Sequence, residues 1–226
     1  MNLSADKARR LILDSQMLFD NCETSTGKHR TASIIEKLGY IQIDTISVVQ
    51  RAHHHTLWTR YSGYHPDMLH QLQAVDRKIF EYWGHSASYL PMRDYRYYTY
   101  RMKNFRDPKD KWSKERLKKC GHLMDGILER IRKEGPLGSR DFKSNPETKR
   151  GQWWDWKPAK TALELLFWRG DLMVTRRDKF QRIYDLTERV LPDGTDTSMP
   201  QKDELGRFLV RRALRSQGIA AMNDIV

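Results

Sequence analysis

The sequence predicts a mainly helical fold with small β-hairpins, and three observations lead to it. Apolar residues recur at helical spacing in several segments of the 226-residue chain. Glycine follows several of these segments, as it often does where a helix ends. In the second half, three helical segments precede two strand-like runs around a basic turn, which is the layout of a winged helix, a relative of the helix-turn-helix.

The first half contains helices separated by polar or extended segments. Ser4 can cap the first helix because its hydroxyl can accept a bond from a backbone N–H, and Gly39 can end the second. Pro66 can open a further helix, since proline is tolerated in the first turn. The predicted elements are helices at about 4–20, at 31–38 and at 66–75, a polar loop at 21–30 and a strand at 78–82.

The second half predicts one complete winged helix and the beginning of a further helical module. Helices are predicted at 122–134 and 158–169, with a short helix or turn at 138–142 that Ser139 caps. Strand-like runs at 172–175 and 181–186 enclose a basic turn. The basic residues of this wing, Arg176, Arg177, Lys179 and Arg182, would reach phosphates or the minor groove of DNA, although an exposed hairpin can also be basic without touching DNA.

Three modules follow from this pattern. Residues 1–118 form the first winged helix, residues 119–202 the second with its basic wing, and residues 203–226 the start of a third, incomplete one. The third segment has an amphipathic pattern that breaks at Gly218, before it could close a core of its own. We therefore expect a truncated chain.

Charge and composition limit the partner and the compartment. The formal net charge of +12 and a pI of about 9.7 predict an anionic partner, and no segment approaches the roughly 20 apolar residues of a membrane span. The amino terminus lacks the apolar core of a signal peptide. The two cysteines, Cys22 and Cys120, are too few for a disulfide framework or a four-cysteine zinc site. The composition therefore predicts a nucleic-acid partner and the reducing cytoplasm.

A basic run at 91–120 combines eleven Lys and Arg with four acidic residues and six aromatic rings. Lysine and arginine neutralise phosphates, while aromatic rings offer stacking surfaces for bases. A solvated helical face with its rings in the core has the same composition. Both interpretations remain open from the sequence.

The segment at 40–46 alternates apolar and polar residues. In an extended chain, Ile41, Ile43 and Ile46 can pack inward, while Gln42 and Asp44 project together from the other side. An ordinary half-buried strand gives the same alternation, so the pattern alone does not establish a site.

Histidines supply the remaining candidates. His85, in a segment rich in aromatic and polar residues, can orient a water, touch a phosphate or be structural. The run His53, His54 and His55 suggests a metal, but adjacent side chains diverge and no Cys or acid lies at ligand spacing, so we predict no metal site. Trp153, Trp154 and Trp156 are interpreted as packing and loop anchors.

These motifs together resemble the YcaQ/AlkZ type of bacterial DNA glycosylase. The resemblance is carried by residues 42–46, 51–55, 81–91, 154–157 and 184–192, and it covers nearly the whole chain. It implies tandem winged helices, excision of N7-alkylated purines and unhooking of interstrand crosslinks, with Gln42 and Asp44 as the Gln-x-Asp motif that places the hydrolytic water. Within these segments we also expect His85 to be a catalytic residue, because its aromatic and polar neighbours suit a site wall, and Arg51 to contact DNA.

The expected chemistry suits a single carboxylate. Cleavage of an N-glycosidic bond passes through a cation-like sugar, which a carboxylate can stabilise while it activates water. An N7-alkylated purine leaves as a neutral base, so no second acid is required, in contrast to O-glycosidases. We expect a monomeric, cofactor-independent DNA glycosylase in the bacterial cytoplasm, at the nucleoid, acting on double-stranded DNA with alkylated or crosslinked purines. The alternative is a non-catalytic winged-helix regulator or architectural protein.

Overall fold

A computed structural model describes residues 3–19, 25–142 and 158–221, so the tryptophans at 153–156 lie outside the described residues. The chain divides into two compact units. The first comprises residues 1–97 and 198–226, and the second comprises residues 98–197. The first unit is therefore built from two separate stretches of sequence.

Helices and a small sheet make up the amino-terminal stretch of the first unit. Its elements are α1 (Ala5–Ser15), α2 (Gly27–Leu38), β1 (Ile41–Gln42), α3 (Ala52–Trp58), α4 (Asp67–His70) continuing as a π-helical turn (Gln71–Val75), β2 (Ile79–Trp83) and β3 (Ala87–Pro91), followed by a 3-10 helix (Met92–Tyr98).

The ends of the first two helices follow from local chemistry. The hydroxyl of Ser4 accepts the N–H of Lys7 at 3.4 Å, which confirms the predicted cap of α1. Gly39 ends α2 in the left-handed conformation, with φ of 94°, as predicted. The predicted loop at 21–30 is wrong for residues 27–30, which form the first turn of α2, and α1 ends five residues before residue 20.

The sheet of the first unit is antiparallel, with strand order β1-β3-β2. In its register, Gln42 lies opposite Ser88, and Ser88 lies opposite Tyr82. The sheet and the helices bury a shared apolar core, in which these side chains are at most 2% exposed: Ile34, Ile35, Ile41, Leu57, Leu72, Ile79, Phe80, Tyr82 and Leu90.

The second unit repeats this arrangement. Its elements are α5 (Thr99–Arg106), α6 (Lys111–Cys120), a 3-10 turn (Gly121–Leu123), α7 (Met124–Glu134), β4 (Leu137–Gly138), a 3-10 turn (Ser139–Asp141), α8 (Pro158–Arg169), β5 (Leu172–Asp178), β6 (Gln181–Leu186) and α9 (Thr187–Val190). The chain then returns to the first unit as α10 (Lys202–Gln217).

The core of the second unit forms around α8, whose bounds match the prediction. Ala162, Leu163 and Leu166 are fully buried there. The predicted cap at Ser139 is wrong, because the carboxylate of Asp141 accepts the backbone N–H of Gly138 at 2.7 Å and so closes this turn without the serine hydroxyl.

Both units share one topology: a helix, a short strand, further helices and a hairpin. In each, the short strand pairs with the second strand of the hairpin, giving the orders β1-β3-β2 and β4-β6-β5. This confirms the predicted mainly helical fold with small hairpins arranged as tandem winged helices. Within the described part of the chain, no helix is both long and apolar enough to cross a membrane.

The three predicted modules at 1–118, 119–202 and 203–226 remain a prediction, and the compact units divide the chain elsewhere. Helix α10 packs within the first unit because Arg212 donates to the carbonyl oxygens of Glu36 (3.0 Å) and Gly39 (2.8 Å). The same guanidinium contacts the carboxylate of Asp94 at 2.6 Å. This one side chain therefore ties α10 to the end of α2.

Gly39 and Gly126 provide a matched test of this packing. A Cβ on Gly39 would lie 2.5 Å from Nε of Arg212 in a left-handed backbone, so we expect Gly39→Ala to lower the free energy of unfolding by about 1–3 kcal/mol. Gly126 lies within α7 with open space around it, and Gly126→Ala should raise the free energy of unfolding by about 0.5–1 kcal/mol. Urea denaturation measures both free energies of unfolding. Changes of the same sign would contradict the packing of Arg212 against Gly39.

Candidate active site and nucleic-acid interface

Asp44 lies where the chain leaves the sheet of the first unit. Ile43 still donates its N–H to the carbonyl of Ala87 at 2.8 Å. At Asp44 the pairing ends, and its Oδ1 accepts the N–H of Ile46 at 2.8 Å, which closes a tight turn. The partly buried Asp44 carboxylate is thus held at the edge of the sheet by its own backbone.

The predicted alternation holds for part of the segment at 40–46. Ile41 and Ile43 are buried, and Gln42 is exposed on β1. The inward position predicted for Ile46 is wrong: its side chain is 70% exposed, because the turn at Asp44 carries the chain out of the sheet. The roles of Gln42 and Asp44 in catalysis stay a prediction.

His53 fixes the backbone of Asp44 from the first turn of α3. Its Nδ1 accepts the N–H of Asp44 at 3.3 Å, and the ring is buried with its edge towards Tyr89. A ring nitrogen that accepts a hydrogen bond carries no proton, so the proton of His53 lies on Nε2. The sequence drew attention to His53 as a possible metal ligand and as part of the resemblance at 51–55, but it gave no signal for this contact.

The other two histidines of the run have separate partners. His54 Nδ1 lies 2.7 Å from the hydroxyl of Tyr64, and His55 Nε2 lies 3.2 Å from the carbonyl of Gln50. Burial, followed by the positive charges of Arg51 and His55, lowers the pKa of His54 to about 4. The three rings therefore serve three different contacts, and no metal-binding cluster of His, Cys, Asp and Glu occurs among the residues described.

His85 lies exposed in the turn between β2 and β3, where Gly84 donates its N–H to the carbonyl of Ser86 at 2.9 Å. The antiparallel register carries β1 towards this turn, since Ile43 pairs with Ala87. The structure therefore places Asp44 and His85 at the same end of the sheet.

Arg51 occupies the cap position of α3, just after an exposed apolar loop. Ile46, Val48 and Val49 in that loop are 70–90% exposed, and a bridge between Ser47 and Arg51 closes it. Arg51 is partly buried, so only part of its side chain could contact DNA.

The basic wing of the second unit divides into two pairs of residues. Arg176 and Lys179 are exposed. Arg177 instead donates to the carbonyl of Phe180 at 2.7 Å and covers the Phe180 ring, so it stabilises the hairpin turn. Lys179 and Phe180 in that turn both have positive φ, which gives the hairpin a tight connection.

Arg182 is turned towards α8. Its guanidinium lies 5.1 Å from the centre of the buried Phe167 ring. Burial raises the pKa of Glu164 on the same helix, and the positive charges of Lys160 and Arg182 oppose that shift. The four predicted wing residues therefore do not share one surface, and their contact with DNA stays a prediction.

The six rings of the basic run at 91–120 differ in burial: Tyr95 is buried, Tyr100 and Trp112 are exposed, and the other three are half-buried. The Tyr95 ring lies against Phe80, and the Phe105 ring lies against Trp168. Trp112 is 53% exposed, with the guanidinium of Arg116 over its ring at 4.3 Å. The interpretation of these rings as core residues therefore holds for Tyr95 and only in part for Phe105, which is half-buried, whereas Trp112 retains an exposed face.

Comparisons with known proteins agree with the fold. The chain is similar to the structure of Streptomyces sahachiroi DNA glycosylase AlkZ, with a TM-score of 0.66 and 16% sequence identity. The similarity covers 98% of this chain and 59% of that chain, so this chain spans about three-fifths of the length of that protein. A family model described as DNA glycosylase AlkZ-like matches residues 35–226, which include Gln42, Asp44, His85 and the wing. Because this match covers most of the sequence, the chain belongs to the AlkZ-like DNA glycosylase family.

Proposed function

We propose that the protein is a monofunctional DNA glycosylase that hydrolyses the N-glycosidic bond of N7-alkylated purines and unhooks interstrand crosslinks. The observation that carries this proposal is the position of Asp44, whose carboxylate closes a turn at the sheet edge while His53 fixes its backbone. Membership in the AlkZ-like family supports the reaction class.

In the proposed mechanism, Asp44 stabilises the developing sugar cation and activates the attacking water. A preorganised carboxylate is effective in this role because it needs no rearrangement as charge develops. Gln42 positions the water, and exposed His85, at the same end of the sheet, orients the water or contacts a phosphate. The departing alkylated purine is neutral, so the reaction requires neither a general acid nor a cofactor.

DNA binding is proposed to involve the wing and Arg51. Because it acts on genomic DNA, the protein would work at the nucleoid of the bacterial cytoplasm, and we propose that it works as a monomer. The alternative is a non-catalytic winged-helix binding protein, which the exposed Arg176 and Lys179 would also suit. A regulator has no evident use for a fixed carboxylate near anionic DNA, and this favours the enzyme.

The decisive experiment is incubation with duplex DNA that contains N7-methylguanine, followed by alkaline cleavage at any abasic site. Strand breakage at the lesion that requires the alkali is expected from a monofunctional glycosylase. Breakage without alkali would contradict the monofunctional assignment. Binding of the duplex without base release would instead favour the binding-protein alternative.

The two pairs of wing residues predict different results for duplex binding. Arg176→Ala with Lys179→Ala should make the negative slope of log affinity against log salt less steep by about 2, since each phosphate contact contributes about 0.9 to its magnitude. Lys133→Ala, which removes an exposed charge paired with Glu129, is the control and should leave the slope nearly unchanged. Fluorescence anisotropy measures the slopes, and equal slopes for both proteins would remove the wing from the interface.

A further inference from the structure

Helix α10 carries a row of three arginines along one face. Arg207, Arg211 and Arg215 are four residues apart, which brings them onto the same side of the helix, and all three are exposed. With a rise of 1.5 Å per residue, the row extends over about 12 Å. We call this row the arginine stripe.

The stripe borders a cavity of about 430 Å³ within the first unit. The ring of Tyr97 stacks on Phe208 at 3.7 Å, with their planes 5° apart, and forms part of the wall. The remaining lining is charged: Arg93, Asp94, Glu204 and Arg212 join the three arginines of the stripe.

The two acidic residues of this cavity are engaged with other arginines. The carboxylate of Asp94 contacts Arg212 at 2.6 Å, and that of Glu204 contacts Arg96 at 2.6 Å. Arg212 and Arg96 are therefore the main partners of these two carboxylates, and Asp94 also interacts, more weakly, with Arg215 of the stripe. The lining has five arginines and two acids, so it carries a net positive charge.

Such a row of like charges is unfavourable in isolation. Cations at i and i+4 on a helix repel one another, and they lie within the Debye length of about 10 Å at 0.1 M salt. A ligand with repeated negative charges would remove this repulsion. The planar guanidinium fork matches phosphate oxygens in particular, and about 12 Å corresponds to the axial rise of three to four phosphates along one DNA strand.

We propose that the arginine stripe of α10 binds the backbone phosphates of one strand of duplex DNA, as a contact surface additional to the wing. The choice of DNA as the ligand rests on the proposed function. Because the contact is to phosphates, it contributes affinity without sequence preference and does not require a damaged base.

The test uses undamaged duplex DNA and a variant with Arg207, Arg211 and Arg215 all changed to Gln. The matched control changes Lys7, Arg9 and Arg10 on α1 to Gln, which removes three exposed charges from the same unit. The slope of log affinity against log salt is negative for a protein that binds phosphates. We expect the stripe variant to make this slope less steep by about 2–3, and the control to make it less steep by less than 1. Equal slopes for the two variants would overturn the proposal.

Two further proteins separate the contact from folding and from catalysis. If the triple variant unfolds, R211Q alone should make the slope less steep by about 1. An unchanged slope would again overturn the proposal. Changing all three arginines to Lys keeps the charge and should keep most of the slope. Base excision by the unmodified protein is measured separately. If it excises the base but the stripe variants have the same salt dependence as the control, only this inference is contradicted. If the stripe variants change the salt dependence but the unmodified protein excises nothing, only the glycosylase proposal is contradicted.

Discussion

Asp44→Asn is expected to slow base excision by about two to four orders of magnitude, as is typical for loss of a positioned base or electrostatic stabiliser. The substitution tests charge alone. The amide oxygen of Asn can accept the N–H of Ile46 in the place of Oδ1, so the turn is retained. The affinity for duplex DNA should stay the same or rise, because a negative charge near phosphates is removed.

Single-turnover release of N7-methylguanine, measured beside duplex affinity at matched salt, separates these two effects. Asp125→Asn provides a control, since Asp125 is exposed on α7 and should have no effect on the rate. A residue with a purely structural role would not move rate and affinity in opposite directions. Full activity of the Asp44 variant would contradict the proposed mechanism.

His53→Leu should reduce the rate of excision by about 10- to 100-fold, because a misplacement of about 1 Å can cost a factor of that size. The substitution fills the space of the ring but removes the acceptor for the Asp44 N–H. His53→Asn returns an oxygen near the position of Nδ1 and should recover part of the loss.

The readout that separates positioning from folding is the comparison of rate and stability for the two variants. Leu suits the buried site better than Asn, so thermal stability should rank Leu above Asn while activity ranks Asn above Leu. If activity followed stability instead, His53 would act only through packing. A positioning role also predicts that duplex affinity is unchanged in both variants.

Local sequence signals predicted the fold well where neighbouring residues determine the structure. The end of α2 at Gly39 and the cap of α1 at Ser4 depend on one residue and its immediate backbone, so pattern and outcome agree. The start of α2 was missed because residues 27–30 are polar or lack a side chain. Arg30 and Thr31 are nevertheless buried by tertiary packing, which outweighs their polar character.

The candidate site, too, was predicted where neighbouring residues determine the structure and was missed where tertiary contacts do. The alternation in β1 located Gln42 and Asp44, but the turn after Asp44 exposes Ile46 and brings in His53 from nine positions along the chain. Nothing in the sequence distinguishes His53 from His54 and His55, because their partners are set by the orientation of α3. For the same reason the sequence could not reveal that Arg177 and Arg182 bind within the protein.

The contacts of Arg212 have a consequence for the order of folding. Arg212 and Glu36 are 176 positions apart, and Arg96 donates to the carbonyl of Ser198, across the whole of the second unit. A ribosome releases the chain from its amino terminus, so α10 emerges only after residues 98–197 have been made. Residues 98–197 form one contiguous stretch, so the second unit can fold as soon as they have been made. The first unit can be completed only after α10 has been made. Synthesis therefore favours completion of the second unit before the first.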